Sequence, residues 1–551
     1  MQKIKKILYP LLILLLSIFI IWPLFLPGYF SHHDDLQVMR IFEMRKCFVD
    51  FQIPCRWVPD MGYGNGFPLF NYYSVFPYYI GGLLSFFFGF IVSAKILFLI
   101  PLVLGGLSMY LLASSLFDKK AGLLSGVLYL FAPYRALDSY VRGAVAESFA
   151  LSLIPLVFYF LLKLVKEKKP KYFFGLSISL SAFLTSHNIM SLLFVPLFLI
   201  WMLILMYLKK PEHKSLIFLS LGLGFGLSAF FVLPAFFEKP LVQTESLTRF
   251  DLDFRVHFVA IKQLFTRSWG YGASTYGPDD SISFQIGIPH FILAFLVLPV
   301  VLFNEQSKIF SKRYLIIALI LVTYFISLFM MHNKSAFVWE SIPILQYTQF
   351  PWRFLSLTIF TSSLLGGFLS FILNPKFKSV FVFSFVLLTI LINFQYFKPM
   401  EFYYSLTDQQ KLSGDLWREQ QRAGIFDYLP KTATEALEPA VDSPIVTTGK
   451  AEITDFKKLS NKWSFNTDVA EKSQIEVPVY DFPNWRVQVN NTPIKHTNKN
   501  HIGRISIELE PGQHIVAGKF ENTAVRTLAN IITLFSLMGL VVIFRYGKIY
   551  K

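Results

Sequence analysis

Runs of about twenty apolar residues recur along the chain, separated by short lysine-bearing connections, and they limit the fold more than any other feature. The hydrocarbon core of a bilayer demands that length and that polarity of a crossing helix. Of 551 residues, 54% are hydrophobic and 17% aromatic, with only 16% charged. A soluble protein of this size could not hide so much apolar surface. The chain therefore reads as a mainly α, polytopic membrane protein. The formal net charge of +16 raises nucleic acid as a partner. Yet the lysines fall between apolar runs, where they act as cytoplasmic anchors. No basic–aromatic motif accompanies them. The expected partner is the lipid bilayer, with no nucleic acid.

Lysine placement also sets the topology. Met1 to Lys6 is basic and precedes an apolar run from Ile7 to Leu26. That run is too long for a signal-peptide core, and no small-x-small cleavage site follows. It is expected to be an uncleaved first span that starts in the cytoplasm. Tyr72 to Val92 is long enough to cross, but crossing would put Lys119-Lys120 outside and flip every later loop. If it only dips into the bilayer, Lys119-Lys120, Lys166 to Lys171, Lys209-Lys210, Lys308 to Arg313, Lys376 to Lys378 and Arg545 to Lys551 are all cytoplasmic. Lysines set orientation more reliably than length sets crossing. About twelve transmembrane helices plus a membrane-dipping segment follow, with both termini cytoplasmic in the cell membrane.

The expected organisation is a transmembrane domain over 1–400, whose first outer loop covers 28–95. A polar, β-rich domain outside the membrane follows over 401–525, and a final span with a cytoplasmic tail over 526–551. Alternation predicts strands at 473–479, 485–489, 502–509 and 514–520, with turn signals at Asn490-Asn491 and Pro511-Gly512. A small β-sandwich-like fold accounts for them.

The densest polar stretch near a membrane boundary is Ser31 to Arg40, Ser-His-His-Asp-Asp-Leu-Gln-Val-Met-Arg. It opens an amphipathic helix expected over Asp34 to Asp50, lying in the interface. Asp is a favoured N-cap, and one of the pair needs no further role, Asp35 being the nearer to the helix. Two carboxylates flanked by two imidazoles exceed what a cap requires. A helix N-terminus favours negative charge, which suits a general base or a metal ligand. Asp34 and Asp35 are thus the candidate catalytic residues. With His33 they leave a divalent metal open, although adjacent side chains seldom close a coordination sphere unaided. No cofactor is otherwise implied.

The other outer loops supply candidate binding groups. Arg142 suits a phosphate and Glu147 a hydroxyl, against an interfacial anchor with its salt bridge. His187 sits in a minimal turn, where a structural pair with Asn188 is the plainer reading. Trp269 and Tyr271, in a Gly-rich loop, suit stacking on a sugar or a membrane-surface lid. Arg353 follows Pro351 into a span and either snorkels or holds a lipid phosphate. Cys47 and Cys55 share the first outer loop, where a disulfide is a matter of geometry.

An acidic pair after the first span, an interfacial helix, many spans and a late outer β domain together resemble the GT-C superfamily of membrane glycosyltransferases. The chain is more closely similar to the bacterial YfhO-like proteins and to the membrane family labelled 6-pyruvoyl-tetrahydropterin synthase-related. The matching text is His33-Asp34-Asp35, Arg142-Gly143 with Glu147, Ser186-His187-Asn188, Gln349-Phe350-Pro351-Trp352-Arg353, Pro483-Asn484-Trp485 and Pro511-Gly512-Gln513-His514. The chain departs at Pro-Asn-Trp and Asn490-Asn491, where YfhO-like chains more often carry Gly-Trp and Asp-Gly. The synthase label carries no chemistry here, because that enzyme needs a zinc-binding His cluster and these ten His are scattered. The resemblance implies transfer of a sugar from a polyprenyl-phosphate donor to a glycan or lipid acceptor outside the cytoplasm. Asp34 or Asp35 takes the family's acidic role. The rivals are a transporter or flippase of lipid-linked glycans and a non-catalytic scaffold with a glycan-binding domain. Transporters place ionisable groups near mid-membrane, and the apolar runs here hold few.

Overall fold

The computed structural model describes residues 4–303, 314–424, 427–433 and 438–546. Its helices of eight residues or more are α1 (Ile4–Ile21), α2 (Gln37–Val49), α3 (Phe76–Phe88), α4 (Phe90–Leu116), α5 (Lys119–Leu130), α6 (Pro133–Tyr140), α7 (Val145–Lys166), α8 (Pro170–Ser186), α9 (Asn188–Lys209), α10 (Lys214–Phe237), α11 (Ile288–Phe303), α12 (Leu315–Met331), α13 (Leu355–Ile372), α14 (Pro375–Asn393), α15 (Gly414–Arg422) and α16 (Ala524–Tyr546). Among the described residues, eight helical segments are long and apolar enough to cross a bilayer. They are nine if Leu315–Met331 and Asn333–Ser341, bent by 96°, form one span. The count of about twelve from the sequence includes shorter helices. The extreme is α5, whose 12 residues rise only about 18 Å against a core of about 30 Å. Every residue of α5 from Ala121 to Leu130 is buried, so neighbouring helices rather than lipid surround it.

The helices alternate in direction, and the lysine-bearing connections gather at one face. Lys378 pairs with Asp118, Lys166 Nζ donates to the Ser115 carbonyl at 3.0 Å, and His213 Nε2 lies 2.7 Å from the Leu164 carbonyl. The Lys308 to Arg313 connection lies outside the described residues. The dipping segment returns to the face it left. At its start the Val75 amide donates to Thr185 at the end of α8, at 3.1 Å. At its end the Phe90 and Ile91 amides donate to Asp408 at 2.7 and 2.8 Å, and Lys95 Nζ reaches the Leu26 carbonyl beyond α1 at 2.6 Å. The 13 residues of α3 rise only about 20 Å.

The helix α2 forms where the apolar spacing places it, but it does not lie free in the interface. Gln37 to Ile41, Glu43, Met44 and Cys47 are all buried. It crosses α3 at Gly81-Gly82, where an added Cβ would meet Ile41 Cγ1 and Met44 Cγ at 2.8 Å. The Cys47–Cys55 disulfide closes the loop after it.

Beyond α14 the chain first clasps the first loop. Strand β1 (Tyr29–Phe30) pairs antiparallel with β2 (Phe402–Tyr403). The β-rich part is one six-stranded antiparallel arrangement of β3 (Ile445–Lys458), β4 (Lys462–Tyr480), β5 (Trp485–Val489), β6 (Thr492–Ile494), β7 (Arg504–Leu509) and β8 (Gly512–Phe520). Strand β4 pairs with β3 along one edge, and its other edge is shared by β8 and then β7. Trp463 and Phe465 from one half and Ile505 and Ile507 from the other join one core, which gives the sandwich-like character. Asn490 and Asn491, both at positive φ, make the turn between β5 and β6. Arg504 ties this domain to the first loop, donating to Asn65 at 2.8 Å and to Glu476 at 3.0 Å.

Candidate functional site

The stretch from Ser31 to Gln37 is held against the α6–α7 connection by backbone pairing. The His33 and Asp34 amides donate to the Val141 and Arg142 carbonyls, each at 2.9 Å. Gln37 Nε2 donates to the Gly143 carbonyl at 2.8 Å. The His32 ring packs where a Cβ on Gly143 would stand, 2.0 Å from the ring, and Gly143 has φ +69°. Only glycine fits both constraints.

This pairing puts Asp34 on the wall of a cavity of about 810 Å³, a size typical of small-molecule sites. Asp34 Oδ2 accepts from Arg40 Nη1 at 2.7 Å and from Gln37 Nε2 at 3.3 Å. Its side chain stays 34% exposed. Arg40 lies over the Tyr73 ring at 4.2 Å, and Tyr78 donates to Gln37 at 2.7 Å. The carboxylate is therefore fixed on one edge and open on the other.

Asp35 turns elsewhere. It does not line the cavity and meets Lys411 Nζ at 2.5 Å. Neither Asp caps α2, whose N-cap is Leu36 with no side-chain cap bond. His33 Nε2 sits 2.8 Å from the Tyr271 carbonyl. The side chains of Asp34, Asp35 and His33 thus turn to three different partners and do not form a ligand set. Among the described residues no group of three or more His, Cys, Asp or Glu is arranged to hold a metal.

Arg142, Glu147, His187 and Arg353 share the same cavity. Glu147 is fully buried and central to them. It accepts from Arg142 Nη1 at 2.9 Å and from the Tyr134 hydroxyl, and stands 3.5 Å from Arg353 Nε. Arg142 also bonds Asp138 and lies 4.6 Å from the Trp352 ring. Arg353 donates to the Thr348 carbonyl at 2.7 Å and to Gln349 at 2.9 Å. Burial, then the neighbouring Glu147, pushes the Asp138 carboxyl well above the usual range. Burial holds His187 down at about 3, and its Nδ1 accepts from the Met190 amide at 3.2 Å. Arg142 and Arg353 thus converge on Glu147 from two elements, and Arg142 also meets Asp138. A pair of guanidiniums so placed suits a phosphate.

Trp269 and Tyr271 are not on this wall. Trp269 stacks on Tyr396 at 4.6 Å, and the Tyr271 hydroxyl donates to the Lys398 carbonyl at 3.1 Å. The same loop reaches the cavity a few residues later, through Ala273 to Tyr276. Sequence reasoning missed Asp427 and Tyr428, which enter the cavity from the segment before the β domain. Burial pushes the Asp427 carboxyl up to about 6, with Arg40 opposing and Asp34 adding to the shift. Tyr428 stacks on Tyr72 at 5.7 Å. No local motif marks these two, because only the packing of a distant segment brings them in.

The fold defines a many-pass membrane protein with a polar cavity at the face opposite its lysine-bearing connections. The chain belongs to the family described as 6-pyruvoyl-tetrahydropterin synthase related domain, membrane protein, whose model matches residues 70–399. It is 23% identical over 237 residues to an uncharacterized protein of Lactococcus lactis subsp. cremoris, a match covering 41% of this chain and 38% of that protein. The crystal structure of the Archaeoglobus fulgidus oligosaccharyltransferase, tethered to an acceptor peptide, aligns with a TM-score of 0.44 at 14% identity. That alignment covers 74% of this chain and 57% of the other.

Proposed function

We propose that this protein is a GT-C-type glycosyltransferase that moves a sugar from a polyprenyl-phosphate-linked donor to an acceptor outside the cytoplasm. The observation that carries the reading is the shared cavity, in which the half-open Asp34 carboxylate stands with Arg142 and Arg353. The acceptor oxygen attacks the anomeric carbon as the bond from that carbon to the phosphate oxygen breaks. Asp34 takes the acceptor proton, and the electron pair leaves on the phosphate. Arg142 and Arg353 offset the charge there. Positioning both substrates in one cavity lowers the entropic part of the barrier. Among the described residues no ligand set is arranged for the divalent metal that the sequence left open, and no step runs through one. The test is sugar transfer from a defined polyprenyl-phosphate sugar by the full chain in liposomes. Movement of lipid-linked glycan across the bilayer without transfer would replace this reading with the flippase.

The reading needs the cavity outside the cytoplasm. The lysine-bearing face supports that orientation, and so does the Cys47–Cys55 disulfide, since oxidising compartments are extracytoplasmic. Single cysteines are placed at Tyr276, which is 84% exposed on the cavity side, and at exposed Lys168 on the opposite face. With the native disulfide kept, an impermeant thiol reagent should label intact cells at 276 and not at 168. The reverse pattern would place the cavity in the cytoplasm and end the proposal for an extracytoplasmic acceptor.

A further inference from the structure

A second polar groove, of about 380 Å³, lies where the disulfide loop, the end of β8 and the start of α16 meet. Its lining includes Phe51, Ile53, Arg56, Lys519, Glu521 and Thr527. Arg56 is the unusual member. It is 3% exposed. Its guanidinium donates to Asn71 at 2.9 Å, Asn530 at 2.9 Å and the Phe230 carbonyl at 3.0 Å. All three partners are neutral, and Arg56 Nε is buried with no partner. The carboxylate that acts on it through space, Glu238, is taken by Arg526 at 2.8 Å, with further donors in Asn71 and Thr523. Arg526 Nη2 is likewise buried and unsatisfied.

Two buried guanidiniums thus share one carboxylate, and burial together with Arg526 pulls Arg56 down to about 10. A buried cation without a counter-charge is unfavourable, and an anion in the adjoining groove would remove the imbalance. Lys519 adds a positive charge at the rim, and Glu521, 4.0 Å from it, opposes. The level in the membrane is set by Phe230 and Thr527, near the cavity-side ends of α10 and α16. Beside the groove Phe51 and Ile53 are 86% and 68% exposed, which suits contact with lipid at the headgroup level.

We propose that this groove binds a single phosphate group, carried by the headgroup of an anionic membrane phospholipid. The site is separate from the cavity holding Asp34 and does not depend on the proposed transfer. Arg56 gives the buried charge, Lys519 draws the anion to the rim, and Phe51 with Ile53 meets the glycerol and upper chains.

The test uses the full chain in phosphatidylcholine nanodiscs, with short-chain phosphatidylglycerol, the matching diacylglycerol and inorganic phosphate as probes. Binding is read by native mass spectrometry and by the shift in Tm. Phosphatidylglycerol should bind and raise Tm where diacylglycerol does not. Lys519→Glu, a change of two charges, should weaken binding by about thirtyfold and Glu521→Gln, a change of one, should strengthen it about fivefold, each surface charge contributing about 1 kcal/mol. Both side chains are largely exposed, so neither change threatens the fold, as Arg56→Gln does. Inorganic phosphate binding with the same response to both variants, without lipid binding, would keep the phosphate site and overturn the lipid source. Equal binding of diacylglycerol, or indifference to both variants, would overturn the site.

Discussion

Asp34→Asn should abolish sugar transfer and leave the chain folded. Asparagine keeps the shape and still accepts a hydrogen bond from Arg40, but it cannot take a proton. General-base catalysis is worth about 10²–10⁴-fold, and the loss should be of that size. The change should also lower stability, because Arg40, with a side chain only 5% exposed, loses its carboxylate partner while keeping its places over Tyr73 and Tyr78. Asp35→Asn should separate the two effects. Its partner Lys411 has a side chain only 3% exposed, so removing the carboxylate strands a buried ammonium. Stability should fall while transfer per folded molecule changes little. The assay is transfer from a polyprenyl-phosphate sugar at fixed folded protein, with thermal unfolding in parallel. Unchanged transfer by Asp34→Asn would remove the base. A rate lost by Asp35→Asn with Tm intact would give the role to the second carboxylate.

That contrast shows where the sequence was readable. Apolar length and lysine placement were enough for the alternating helices, because a bilayer leaves few choices. The acidic stretch was conspicuous, but its division of labour was not. Asp34 and Asp35 are neighbours in sequence and part because one meets Arg40 and the other Lys411, which lies 376 residues away. The strands expected from alternation at 485–489 and 514–520 are found as Trp485–Val489 and Gly512–Phe520. Strand β3 was not expected, because most of its side chains are exposed and it carries no apolar alternation. The loop aromatics Trp269 and Tyr271 looked suited to a sugar, but composition does not say which way a ring faces. Asp427 had no signal at all, since its place in the cavity comes from tertiary packing alone. The disulfide, open at the level of spacing, is settled by the turn that brings Cys47 and Cys55 to a Cα separation of 5.6 Å.

Glu147→Gln should be the most destabilising single change in the cavity wall, and the size of its effect should depend on Asp138. Glu147 is the carboxylate between Arg142 and Arg353. Breaking a buried ion pair by removing one partner costs about 3–5 kcal/mol. A compensating response is built in, however. Burial and the negative charge of Glu147 push the Asp138 carboxyl well above its usual range, with Arg142 opposing. Once that charge is gone, one of the causes raising its pKa disappears, and Asp138 can ionise and serve Arg142 instead. Glu147→Gln should therefore cost less with Asp138 present than in an Asp138→Asn background. Groups in one network commonly couple by about 0.5–3 kcal/mol, and a coupling of at least about 1 kcal/mol is expected here. The double-mutant cycle is measured by unfolding of the full chain in detergent. A carboxyl raised by burial holds its proton more tightly in the folded chain than in the unfolded one, so it makes stability fall as pH rises above the usual carboxylate range. That fall should shrink in the Glu147→Gln protein, where one raising cause is gone, and vanish in the double variant. Additive costs with no such pH response would show that Asp138 is already charged in the native protein.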